Sequence, residues 1–99
     1  MIEVELSVRI RLACQRALWG AITPNIRMIT VGWDDLKLFH LRIYFSSVPS
    51  DDEIEEMEAV SAEVLSDLNF LRDKVECIVD NRIRKDLEIL KEIIYVRKE

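Results

Sequence analysis

Between Pro49 and Asn69 the chain has little choice but to be a helix. Val48-Pro49 breaks what precedes, because proline fixes φ and donates no backbone hydrogen. Ser50-Asp51-Asp52-Glu53 then has the S-x-x-E spacing in which a serine hydroxyl and a glutamate carboxylate cap the free N–H groups of a first helical turn, with acids favourably placed against the helix dipole. Ile54, Met57, Ser61, Val64 and Leu68, widened by Val60 and Leu65, follow at three- and four-residue spacing. A helix from Ser50 to about Leu68, ending at Asn69, is predicted.

The other segments arrange themselves around it. Leu6, Ile10, Ala13, Cys14, Ala17 and Leu18 give a second helical stripe between Val4 and Trp19, stopped by Gly20 and a Thr23-Pro24-Asn25 turn. From Arg27 to Trp33 the period changes to two, with Ile29, Val31 and Trp33 on one side and Ile26, Met28 and Thr30 on the other. Leu36 to Phe45 repeats the pattern. Phe39, Leu41, Ile43 and Phe45 face one way, Leu38, His40, Arg42 and Tyr44 the other, and the short connection at Trp33-Asp34-Asp35 implies an antiparallel hairpin.

After a turn near Arg72-Asp73, Val75, Cys77 and Val79 alternate with Glu76, Ile78 and Asp80 as a third strand, and Ile93 to Arg97 reads as a fourth. Residues 81–91 fit a loop better than a helix, although Ile83, Leu87, Leu90 and Ile94 have helical spacing, because Ile93-Ile94-Tyr95-Val96 is so rich in β-formers. The order αββαββ predicts an α+β fold of one domain over residues 1–99: a four-stranded antiparallel sheet, both helices on one face and the second face open to solvent or a partner.

Composition sets limits on function. The net charge of −5 argues against direct binding to DNA or RNA, which requires clustered Lys and Arg, and favours a basic partner. No apolar run is long enough to span a bilayer, and Met1-Ile2-Glu3-Val4-Glu5 lacks the basic start of a secretory signal, so a cytoplasmic location is expected. Cys14 and Cys77 read as free thiols inside a helix and a strand. With one histidine, His40, and no phosphate loop, nucleophile elbow or metal-ligand spacing, neither a catalytic site, nor a metal site, nor a cofactor is expected. An enzyme would have to use His40 with nearby carboxylates.

The conspicuous feature is acidic. Asp51, Asp52, Glu53, Glu55, Glu56 and Glu58 crowd the start of the second helix, and no basic residue interrupts the segment from Ser50 to Asn69. Such a run is either a solvated helix face or a docking surface for a cationic partner. Trp19, Trp33, Tyr44 and Tyr95 are the aromatic candidates for interface anchors, Trp33 being better suited to the core.

Gly20-Ala21-Ile22-Thr23-Pro24-Asn25-Ile26-Arg27, the strand ends at Trp33-Asp34 and Tyr44-Phe45, the acidic capped helix from Ser50 and the closing Tyr95-Val96-Arg97-Lys98-Glu99 together resemble a group of small acidic bacterial proteins. That group includes immunity proteins of contact-dependent growth inhibition systems, and the likeness spans nearly the whole chain. It implies a protein without catalytic residues that binds and blocks a cognate toxin domain, often a nuclease. Asp51, Asp52, Glu55, Glu56, Glu58 and Tyr44 are then the expected partner-binding residues, facing a basic toxin surface. The alternative is a non-catalytic structural or regulatory homo-oligomer, a homodimer for example, paired through the open sheet face or an edge strand.

Overall fold

A computed structural model describes residues 3–99, with side chains from Val4 onward; Met1 and Ile2, which enter the expectation of a missing secretory signal, lie outside the described residues. The elements follow the expected order: α1 (Glu3–Ala17), β1 (Ile26–Asp34), β2 (Leu38–Phe45), α2 (Asp51–Leu68), β3 (Arg72–Val79), a 3₁₀ turn (Arg84–Asp86) and β4 (Glu92–Val96). Local chemistry sets their ends. Gly20, at φ +82°, takes the chain out of α1, and Asn69, at φ 59°, ends α2 in the left-handed conformation that asparagine tolerates. At the other end of α2 the Ser50 hydroxyl accepts from the Glu53 N–H at 3.1 Å while the Glu53 carboxylate accepts from the Ser50 N–H at 3.0 Å.

The sheet runs β3-β2-β1-β4 and is mixed, which corrects the expectation of a purely antiparallel one. β1 pairs antiparallel with β2 and with β4, but β2 and β3 are parallel, Leu38 lying across from Arg72 and Phe45 from Val79. The cause is α2. A helix of 18 residues is about 27 Å long, enough to carry the chain back to the end of the sheet where β2 began. The Leu71 N–H therefore meets the Leu36 carbonyl, and the Arg72 N–H that of Lys37.

Both helices cover one face, as expected, and the core lies between them and the sheet. Phe39, Leu41, Ile43 and Phe45 from β2 meet Ile10, Cys14, Met57, Val60 and Val64 there, all buried. Ile29, Val31 and Trp33 join them from β1. Ile26 does too, against the expected alternation, because the register of β1 slips between Ile26 and Met28 and the extra residue turns Ile26 back toward the helices.

The second face is not open. β3 and β4 occupy opposite edges of the sheet, so the chain between them has to cross it, and residues 80–91 form a strap over that face. Leu87 packs with Met28 and Tyr44 in a small second core. Thr30, fully buried, accepts from the Leu90 N–H at 2.9 Å and donates to the Glu92 carbonyl at 2.7 Å. At Gly32 a methyl group would stand 3.3 Å from Leu90 Cβ, so glycine lets the strap lie close. The loop reading of 81–91 holds, and its role is to cover.

Candidate functional site

The acids of α2 sort themselves by helical geometry. At about 100° per residue, Asp51, Glu55 and Glu58 fall in one row, and Asp52, Glu56 and Glu63 in another on the opposite side of the outward crest. The second row runs toward α1: Asp52 and Glu56 line a shallow cleft with Gly20, Ala21 and Thr23, and further along Asp67 accepts from Arg16 at 3.3 Å. The first row runs toward β3, where the Glu58 charge, after burial itself, helps to push the Cys77 thiol upward.

Glu53 stands apart from both rows. Its carboxylate accepts from the Thr23 hydroxyl at 2.6 Å and from the Ser50 N–H, with Asn25 Nδ2 at 3.5 Å, and these bonds, that of Thr23 first, hold its pKa below the usual carboxylate range. It fastens α2 to the turn before β1. Its neighbours Asp51, Asp52, Glu55, Glu56 and Glu58 are exposed, and among the described residues none of the five forms a salt bridge.

Six of the arginines are engaged elsewhere. Arg11 pairs with Glu92, Arg16 with Asp67, Arg42 with Glu76, Arg82 with Asp80, and Arg27 and Arg97 with Glu99. Arg27 is buried, makes a two-pronged contact with Glu99 at 2.7 Å on each arm, and donates to the carbonyls of Asp80 and Arg82 at the start of the strap.

Tyr44 does not belong to the acidic surface. It lies on the far side of the sheet, is 3% exposed, and donates its hydroxyl to the Glu88 carbonyl at 2.7 Å. The strap removes from solvent a ring that the sequence leaves looking available. His40 is half-buried on the same face and its Nε2 contacts the Glu76 carboxylate, which also takes Arg42 at 3.0 Å. Burial works to raise the Glu76 pKa, but the bonds from His40 and Arg42 outweigh it and keep the carboxylate charged. The cleft of about 600 Å³ on this face is lined by Met28, Leu87, Ile89, Ile93 and Val96, among others, and not by His40. Cys14 is deeply buried, its thiol pushed up to about 12.

A model of the MafI2 immunity protein family matches residues 7–99. The chain belongs to that family. In this immunity protein Asp51, Asp52, Glu55, Glu56 and Glu58 of α2 are exposed and form no salt bridge among the described residues. No curated protein matches its sequence. Among the described residues there is no group of three or more His, Cys, Asp or Glu placed to hold a metal ion, and no helix long and apolar enough to cross a membrane.

Trp19, an expected candidate for an interface anchor, is exposed together with apolar residues that the sequence reading did not single out. Val4, Val8, Leu12 and Trp19 lie exposed along a flank of α1, with Trp19 at 93%. The signal was available as a second apolar stripe at spacings of four, four and seven, but it was hidden beside the stronger buried stripe of the same helix.

Proposed function

We propose that this immunity protein neutralises a nuclease toxin in the cytoplasm by laying the acids of α2 against the basic surface with which that toxin holds nucleic acid. The observation that carries the reading is that Asp51, Asp52, Glu55, Glu56 and Glu58 are exposed and form no salt bridge among the described residues while Arg11, Arg16, Arg27, Arg42, Arg82 and Arg97 are spent on other carboxylates. Such a surface keeps its potential in solution and steers a cationic partner onto itself. A nuclease offers the complement, since it must neutralise phosphates with Lys and Arg. Occupying that surface blocks the substrate without any covalent chemistry.

Charge alone attracts many partners, so discrimination between toxins falls to shaped contacts around the charged rows. The crest between the rows in the second half of α2 offers them, because Ala59, Ala62 and Ser66 are exposed and small enough for close approach. Co-expression with the toxin domain encoded beside the gene tests the proposal: growth should be restored, the complex should be isolable, and nuclease activity in it should be lost. A neighbouring toxin that is neither bound nor neutralised would overturn it, and a bound toxin with no activity on nucleic acid would remove the nuclease.

A further inference from the structure

Among the exposed large apolar side chains Trp19 stands furthest out, and it ends a ridge. Val8, Leu12, Gln15 and Trp19 follow at spacings of four, three and four along the side of α1 that points away from the sheet, the opposite side giving Leu6, Ile10, Ala13 and Cys14 to the core. Leu12, Gln15 and Trp19 line a shallow cleft of about 480 Å³ with Arg16, and Trp19 lines a second, of about 310 Å³, with Gly20, Ile22 and Tyr95. The indole thus stands between two hollows. What lies beside it follows from the antiparallel packing of the helices. Ala13 and Arg16 share a cleft with Glu63, Ser66 and Asp67, whereas Gly20 and Ala21 share one with Asp52, Glu53 and Glu56. As α1 advances α2 recedes, so the acid-rich first half of α2 adjoins the end of α1 that bears Trp19. Gly20 lines both the tryptophan cleft and the acid cleft, and the two surfaces meet there. Arg16, beside the ring, is bonded to Asp67, while Asp52 and Glu56 form no salt bridge among the described residues.

We infer that Trp19, with Leu12 beside it, is the apolar anchor by which α1 holds the toxin that the acids of α2 attract, seated in an apolar pocket of that toxin rimmed by Lys or Arg. The inference rests on the toxin reading and adds to it the residue that keeps the complex together. A partner for this end of the molecule must offer apolar area to the ridge and positive charge to Asp52 and Glu56, and one basic protein surface does both. A second copy would bring those acids against its own, and an anionic bilayer would be repelled by them. An indole buries roughly 150–250 Å² with few rotatable bonds to freeze, which is why tryptophan is over-represented among the residues that dominate interfaces. Charge sets the rate of encounter and burial sets the residence time, so the two helices divide the work.

The chain has two tryptophans and Trp33 is buried, so labelling with 5-fluorotryptophan gives one fluorine resonance from the anchor and one from the core. Trp19→Ser assigns the first by removing it. On saturation with the toxin domain encoded beside the gene, the Trp19 resonance should shift and lose its difference between light and heavy water. Trp19→Ser should speed dissociation at least about thirtyfold while changing association less than about threefold, with native circular dichroism and melting because the side chain is exposed. A wild-type chain that does not bind that toxin overturns the toxin reading and takes the inference with it. Wild-type binding with the Trp19 resonance unmoved, or with the off-rate of Trp19→Ser unchanged, overturns the inference alone and leaves α2 as the docking surface. So does a free Trp19 resonance that moves with protein concentration or on adding vesicles of anionic phospholipid, since another occupant then covers the ring.

Discussion

Tyr44 donates its phenolic hydrogen to the main-chain oxygen of Glu88 across 2.7 Å, so a residue near the end of β2 holds down the strap that covers it. Leu87 and Met28 pack with the ring, and the face of the sheet opposite the helices gains a second small core.

Replacing Tyr44 by Phe keeps the packing and leaves the Glu88 carbonyl without its donor. A loss of about 1 kcal/mol is expected, or a melting point lower by roughly 4–8 °C for a domain of this size. Toxin binding should not change, because the ring is out of reach of a partner. Calorimetric melting alongside a toxin titration checks both halves; weakened binding with unchanged melting would return Tyr44 to the interface.

Ser50→Ala removes one arm of the cap on α2 and should cost about 1 kcal/mol. Glu53→Ala should cost more, roughly 2 kcal/mol, since Thr23 and Asn25 lose their partner together with the Ser50 N–H. The difference should be visible in hydrogen exchange at Ile26, whose N–H is held by the Thr23 carbonyl in the turn that Glu53 fastens. Equal losses in the two variants would mean that the link to the turn contributes nothing.

Acid should unfold the protein late. The Arg27 guanidinium holds the Glu99 carboxyl down at about 2, and Arg82 does the same for Asp80, while Ser7, ahead of Arg11, lowers Glu92. Unfolded carboxyls titrate near ~4, so the stability these groups confer is complete above that pH and disappears as the pH falls toward about 2. Melting temperature should be level between pH ~7 and ~5 and decline below ~4. Glu99→Gln should lower the plateau and make the decline shallower. Arg27→Met, which strips the buried hub from Glu99 and from the Asp80 and Arg82 carbonyls, should cost about 2–4 kcal/mol by denaturant titration.

Reversing Glu55, Glu56 and Glu58 to Lys changes charge in both rows of α2 while sparing its cap. Association with the cognate toxin domain at low salt should slow by about tenfold or more, and the rate should become less dependent on ionic strength. Stopped-flow fluorescence reads this directly. An unaltered on-rate would move the toxin to another face.

The sequence by itself determined every element that rests on neighbours along the chain. The capping box at Ser50, the left-handed exits at Gly20 and Asn69 and the alternation in β2 are interactions over one to four residues, and each stands where the spacing puts it. The acidic run was legible for the same reason. What depends on partners far apart in the chain was decided by the tertiary structure alone. The direction of β3 follows from the length of α2 as a crossover, and Ile26 changes face through a slip in pairing against β2. The strap is not announced by its spacing, which at Ile83, Leu87 and Leu90 is that of a helix, since Leu87 and Leu90 gain their meaning from Tyr44, Met28 and Gly32. The freedom of the α2 acids is of the same kind: which carboxylate an arginine takes depends on partners far apart in the chain, and the fold gives Arg16 to Asp67 and Arg27 to Glu99.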